Sequence, residues 1–229
     1  MHIILPQAWR IIASRHPPID LFERVAGTDQ AISDALIAAE QLTNPRLRDE
    51  IGEISLVPSE RRVSGPGATY LMAPFTHINP QGSRFADGTF GAYYAASELV
   101  TAIAETIHHF EIYARDSADP ARSEDMRVLV GSFDAEVDDL TAQAEPFRSQ
   151  LLDPNSYSTS QTWGRGLRDA GSNGIFYPSV RRTGGECVVA FWPNVPAIPL
   201  QERHLQYHWN GQQVDRYFDY NDDTWHDWP

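Results

Sequence analysis

The chain contains no lysine, so every fixed cation among its 18 Lys+Arg positions is an arginine. The planar guanidinium fork holds carboxylates and phosphates bidentately, which an ammonium does not. Cysteine is nearly absent. A lone Cys187 excludes an internal disulfide framework and fits a reducing, cytoplasmic setting. No apolar run approaches the roughly 18 residues that a membrane helix needs, so a soluble protein is expected. The opening MHIILPQAWRIIASRHPP is broken by Pro6, Gln7 and Arg10 and lacks a basic leader and a small-residue cleavage site, which argues against a signal peptide. Positive charge is scarce: 18 Lys+Arg against 31 Asp+Glu gives a net charge of −13. Such a field repels nucleic acid and anionic lipid, so direct nucleic-acid or membrane binding is not expected, whereas a basic protein partner is compatible. The chain also lacks a GxGxxG after a strand, a P-loop, an HExxH and a CxxC. His108 and His109 are adjacent and point to different sides of a helix, so no metal site is expected.

What is present reads as an ordinary globular chain of 229 residues, 41% hydrophobic, with 16 prolines. Residues 1–27 look extended and irregular because Pro6, Pro17 and Pro18 interrupt any helix. Helical spacing of Ile32, Leu36 and Ala39 predicts a helix from Thr28, and Asn44-Pro45 starts a short one ending at Gly52. Strands are predicted at Ile54–Val57, Tyr70–Thr76, Phe90–Ala95 and Met126–Phe133, with acidic surface over Asp134–Leu140. Ser97 is placed to cap a helix from Glu98 to about Phe110, whose core stripe is Leu99, Ile103, Ile107 and Phe110. Glu105 falls off that stripe, one turn from His109, facing water or a cleft. Ser160–Ala170 is a helix stopped by Gly171. Gly174–Val180 and Glu186–Trp192 form a hairpin across a glycine turn. The segment 207–229 is aromatic and acidic: a final strand with an acidic end, or a partner-facing arm. The simplest division is one α+β domain over 1–229. It has a mixed or antiparallel β core flanked by helices, a helical insertion near 28–80, and the tail at 207–229.

Four polar features stand out: Arg84, the Tyr93-Tyr94 pair, Glu105, and Ser179 in YPSVR. Each has an ordinary explanation in a surface ion pair, alternate strand faces, a solvated helix face, or a hydroxyl bonding nearby backbone. Composition alone therefore assigns no function. Their order is informative. Arg84 in SRF, a glycine turn and strand, Tyr94, Ser97, Glu105 in TAIAET, and later GIFYPSVR over 174–181 together resemble the RES domain, a family named for its arginine, glutamate and serine. The resemblance covers about residues 5–15 and 80–195. Matching the motifs gives Arg84, Glu105 and Ser179, with Tyr94 leading into the helix and Arg10 in AWRII as an N-terminal arginine. Two features depart from the family pattern. About seventy residues separate Arg10 from Arg84, so Arg24 in FERVAG competes for the first-arginine position. The second hairpin strand opens with Glu186-Cys187 where small or amide residues are usual.

The resemblance implies an ADP-ribosyltransferase-like fold and the toxin of a bacterial toxin–antitoxin pair, with an Xre-like helix-turn-helix antitoxin and possible assembly with it. It implies degradation of NAD⁺ as substrate, by hydrolysis or phosphorolysis, with no bound cofactor. Transfer of ADP-ribose to a protein is the alternative enzymatic reading, and an inactive partner-binding module the non-enzymatic one. In the first reading Glu105 stabilises an oxocarbenium-like ribose and Tyr94 stacks on nicotinamide. Ser179 bonds the ribose or amide, and Arg84 with Arg10 or Arg24 holds phosphates.

Overall fold

A computed structural model describes residues 1–16, 29, 31–32, 35–36 and 52–229. Arg24 and most of the two helices expected between Thr28 and Gly52 lie outside the described residues. Ala31, Ile32, Ala35 and Leu36 are helical, and the Asp29 carboxylate accepts from the backbone N–H groups of Ala31 and Ile32.

A nine-stranded sheet runs in the order β4-β5-β6-β2-β1-β3-β7-β8-β9. The strands are β1 (His2–Ala13), β2 (Tyr93–Ala96), β3 (Arg122–Glu136), β4 (Asp138–Asp139), β5 (Gly174–Pro178), β6 (Glu186–Ala190), β7 (Leu200–Trp209), β8 (Val214–Asp219) and β9 (Thr224–Asp227). β4 pairs with β5 in parallel and every other pair is antiparallel. Four α-helices are described outside this sheet: α1 (Ala68–Thr76), α2 (Leu99–Asp116), α3 (Phe147–Leu151) and α4 (Ser158–Asp169). The molecule is α+β, with the mixed sheet and flanking helices that the pattern predicts.

Pro6 does not break the first strand. The register runs from Leu5 opposite Phe133 to Ala8 opposite Gly131, so β1 carries one extra residue there. That bulge is where a strand tolerates a residue without an N–H. Alternation then sorts the side chains onto two faces. One face gathers Ile11, Ile103, Ile107, Val128, Ile175, Cys187, Val189 and Leu205 under α2. The other gathers Ala8, Leu71, Phe75, Tyr93, Phe133 and Val188 under α1. Ile103 and Ile107, at 1% and 3% exposed, each contribute about 1.5–3 kcal/mol by leaving water.

Several expectations are corrected. Tyr70–Thr76 is part of helix α1, not a strand: Leu71, Met72, Phe75 and Thr76 are buried at helical spacing, and that packing outweighs Pro74 within the helix. Ile54–Leu56 forms a 3-10 turn instead of a strand. The strand at Phe90–Ala95 is shorter and later, Tyr93–Ala96. Residues 134–136 continue β3, and Leu140 is fully buried, so Asp134–Leu140 is not plain acidic surface. Ser97 caps nothing: its N–H and hydroxyl both donate to the Glu186 carbonyl, tying β2 to β6, and Glu98 occupies the N-cap of α2 with no side-chain cap bond. The segment from Tyr207 is no arm. It completes β7 and adds β8 and β9, burying Tyr207, Trp209 and Val214 at 0–1% exposure.

Two glycines test the packing. A Cβ on Gly91 would lie 1.9 Å from the Pro74 carbonyl oxygen, whereas one on Gly166 in α4 would meet nothing within 4 Å. Gly91→Ala is expected to destabilise by about 1–3 kcal/mol through overpacking, and Gly166→Ala to stabilise by up to about 1 kcal/mol through helix propensity. Urea unfolding midpoints check both, and shifts of the same sign would contradict the account.

Candidate active site

Strand alternation divides the tyrosine pair. Tyr93, 1% exposed, enters the α1 face against Phe133, whereas Tyr94 enters the α2 face. The Tyr94 hydroxyl accepts from the Phe85 N–H at 3.0 Å and shares a 2.8 Å hydrogen bond with Ser83 Oγ. Burial pushes its phenol up to about 12, so it stays neutral while holding residues 83–85. Helix α4 fastens the same loop from outside. Gln161 Nε2 donates to the Ser83 carbonyl at 3.0 Å, and Arg165 Nε donates to Asp87 at 2.6 Å.

From this clamped loop Arg84 projects inward and is 6% exposed. Nη1 donates to the carbonyls of Leu151 at 3.3 Å and Asp153 at 2.9 Å, and Cζ sits 4.6 Å from the centre of the Tyr157 ring. No carboxylate among the described residues forms an ion pair with it. A guanidinium held by neutral carbonyls and a ring face keeps its full charge for another anion.

Glu105 and Ser179 come from elements 74 residues apart and meet. Ser179 Oγ donates to Glu105 Oε1 at 2.6 Å while accepting from the backbone N–H groups of Arg181 and Arg182, each at 3.1 Å. The hydroxyl thus shapes the β5–β6 turn with two bonds and aims its proton at the helix with the third. Gly185 lets that turn lie against α2, because a Cβ there would fall 2.7 Å from Thr101 Oγ1. The register of β2, β6 and β5 sets Ala96, Cys187 and Tyr177 side by side on the same face. Cys187 Sγ lies 4.0 Å from Glu105 Oε1, and burial followed by the Glu105 charge pushes its thiol up.

The Tyr177 phenol shows that these groups share a neighbourhood. Burial raises it well above its usual value; Cys187, Glu105 and Tyr94 add to that rise and Arg84 opposes it. His109, one turn from Glu105, is lowered by burial, raised by Glu105 and lowered by Arg181 and Arg84. Arg84, Tyr94, Glu105 and Ser179 are therefore brought together, from a loop, a strand, a helix and a turn. Arg10 is not. It projects on the α1 face, with Cζ 4.7 Å from the Tyr93 ring and Nη1 donating to the Tyr94 carbonyl at 3.0 Å. Alternation along β1 causes this: Ala8 and Arg10 share that face, while Trp9 and Ile11 face α2. Tyr157, Tyr177 and Arg181 complete the surroundings. Sequence reasoning did not single them out; Arg181 carried a signal, two places after Ser179, and Tyr157 carried none.

Two clefts among the described residues open elsewhere, one along α3 and α4 by Phe147 and Trp163, the other by Asp125, Arg203 and Tyr220. Neither is lined by Arg84, Tyr94, Glu105 or Ser179. The polar convergence outweighs them as a site, because they bring no comparable set of unpaired charge and hydroxyl. No group of three or more His, Cys, Asp or Glu among the described residues is placed to hold a metal, and no described helix is long and apolar enough to cross a membrane.

The RES domain model matches residues 59–210, about two thirds of the sequence, and the chain belongs to the RES domain family. It is 27% identical over 224 residues to the uncharacterized protein y4oC of Sinorhizobium fredii (strain NBRC 101917 / NGR234), covering 96% of this chain and 90% of that one. Among solved structures it is similar to a chain of the M. tuberculosis MbcT-MbcA toxin-antitoxin complex, with 16% identity and a TM-score of 0.39. That match covers 58% of this chain and 74% of the other.

Burial and, after it, the neighbouring charges leave a titration signature at His108. Burial first, then Arg181, His109, Arg115 and Arg84, lower its imidazole from 6.5 to about 4. The unfolded chain takes up this proton near 6.5 and the folded one only near 4. The associated stability is complete above pH 6.5 and is lost as pH falls toward 4. In proton NMR, the imidazole resonance that disappears in His108→Gln is expected to titrate near 4, and a midpoint near 6.5 would refute the arrangement.

Proposed function

We propose that this RES-domain protein is the toxin of a toxin–antitoxin pair, acts in the cytoplasm, and cleaves the nicotinamide–ribose bond of NAD⁺. The observation that carries the reading is the 2.6 Å bond from Ser179 Oγ to Glu105 beside an Arg84 free of carboxylates. An ADP-ribosyltransferase-like fold and a basic helix-turn-helix antitoxin belong to the same reading. The chain's acidity is compatible with a basic partner.

In this chemistry the C1′–N bond breaks heterolytically and its electron pair leaves on the pyridine nitrogen, releasing neutral nicotinamide. Positive charge then grows on C1′ and the ring oxygen. The Glu105 carboxylate opposes that charge, and Ser179 holds one carboxylate oxygen so that the other faces the ribose. Water or inorganic phosphate adds at C1′ and gives up a proton. Arg84 holds phosphoryl oxygens through the guanidinium edge that the Leu151 and Asp153 carbonyls leave open. Tyr94 acts on Arg84 through the 83–85 loop it clamps, and its ring lies on the same face for the nicotinamide. Transfer of ADP-ribose to a protein shares the bond-breaking half and differs only in the acceptor.

Glu105→Gln keeps a hydrogen-bond acceptor for Ser179 but removes the charge. Its NAD⁺ consumption is expected to fall by about 10²–10³-fold with unchanged circular dichroism. Undiminished consumption would remove Glu105 from the chemistry. Arg84→Lys cannot reproduce the fork, and a rise in KM of about tenfold or more is expected from the lost charged hydrogen bonds. A KM within twofold of the parent would take Arg84 out of phosphate binding.

A further inference from the structure

Arg181 and Arg182 are neighbours with opposite fates. Arg182 Nη1 donates to Glu98 at 2.7 Å and to Thr101 Oγ1 at 3.0 Å, so its charge is matched. Arg181 has no carboxylate partner among the described residues. Its Nη2 donates to the Pro154 carbonyl at 2.7 Å and approaches the Tyr157 hydroxyl at 3.4 Å. Its Nε is buried without a hydrogen-bond partner, which in a native interior asks for an explanation. Arg84 takes hold of the same short segment, bonding the Leu151 and Asp153 carbonyls and covering the Tyr157 ring. Two guanidinium groups therefore bracket Tyr157, one over its face and one at its hydroxyl. Both act on His108 and His109, so their fields overlap beside Glu105.

Like charges held this close cost free energy, and no described carboxylate forms an ion pair with either. A doubly charged anion fits the arrangement: Arg84 presents the guanidinium edge that its carbonyl bonds leave open, Arg181 adds its charge and its Nη1 group, and Tyr157 spaces the two. Arg181 is also tethered to the site through its own backbone, because its N–H donates to the Ser179 Oγ that bonds Glu105. A phosphoryl group at Arg181 is thereby held in register with the carboxylate.

We propose that Arg181 is a second phosphoryl-binding residue, acting with Arg84 across Tyr157 to hold a substrate phosphoryl group in register with Glu105. The inference rests on the proposed NAD⁺ reading for its choice of substrate. The shared chemistry is a phosphoryl dianion, and its two sources are the pyrophosphate of the dinucleotide and free phosphate as acceptor.

The test uses the full chain and Arg181→Gln, with Arg181→Lys as the conservative variant. ADP-ribose, inorganic pyrophosphate and inorganic phosphate are titrated calorimetrically. Turnover of NAD⁺ is then followed with and without phosphate. Arg181→Gln is expected to weaken binding of the phosphoryl ligand at least tenfold, of ADP-ribose if pyrophosphate is the source and of inorganic phosphate if free phosphate is, while kcat changes less than threefold, with partial recovery in Arg181→Lys. If pyrophosphate is the source, KM for NAD⁺ rises tenfold without phosphate present. If free phosphate is the source, KM stays and the phosphate concentration for half-activation rises tenfold. Inhibition by nicotinamide, which carries no phosphate, must stay within twofold; an equal loss there shows a merely structural role and overturns the proposal. Binding and both kinetic constants unchanged in Arg181→Gln overturn it as well. A parent protein that binds ADP-ribose through Arg181 yet leaves NAD⁺ intact refutes the NAD⁺ reading and upholds the anion site.

Discussion

The hydrogen bond from Ser179 Oγ to Glu105 is the constraint on which the candidate site turns, since it joins a hairpin turn to a helix 74 residues earlier. It closes only because β6 lies between β2 and β5 in the sheet. β2 leads directly into α2 and β5 leads directly into the turn. Pairing both to one strand fixes where the carboxylate and the hydroxyl stand. A slip of one residue in either ladder would turn Tyr94, Tyr177 and Cys187 to the other face. The long-range ladder therefore aligns the site, and the local hydrogen bond reports that alignment.

The arginines follow a different rule. Exposed ion pairs such as Arg148 with Glu145 neutralise charge at little gain in stability. Arg84 and Arg181 are instead held by carbonyl oxygens of residues 151–154 and by Tyr157. Carbonyls fix the position of a guanidinium without cancelling its charge. The segment between α3 and α4 thus serves as scaffold for two cations, and α4 secures the loop that bears one of them through Gln161 and Arg165.

Much of this was legible in the sequence where side-chain periodicity decides structure. The stripe of Ile103 and Ile107 identified α2 and left Glu105 off the core; the glycine turn identified the β5–β6 hairpin. The tyrosine pair split as alternation requires. The misreadings arise where tertiary packing overrides local pattern. Tyr70–Thr76 has strand-like composition but is helical because Leu71 and Phe75 pack against Tyr93 and Phe133. Arg10 carried a motif, but the face it takes depends on the bulge at Pro6, which no periodicity announces. Tyr157 sits in a polar connection with no pattern, and only the folded chain shows two arginines closing on it.

Net acidity and the proposed anion site are compatible once distance is considered. The acidic residues Asp219, Asp222, Asp223 and Asp227 belong to the β8–β9 edge, five to six strands from β6 in the sheet order. At about 4.8 Å per strand that is roughly 24–29 Å. Charges so far apart are screened across a Debye length of about 8 Å at physiological salt. A small anion beside Arg84 and Arg181 therefore feels two guanidinium groups within hydrogen-bonding reach and little of the distant carboxylates. A polyanion long enough to cross the whole sheet meets both. On the proposed reading, this charge distribution would admit a dinucleotide and disfavour a polyanion the length of the sheet, so discrimination between them would arise from length.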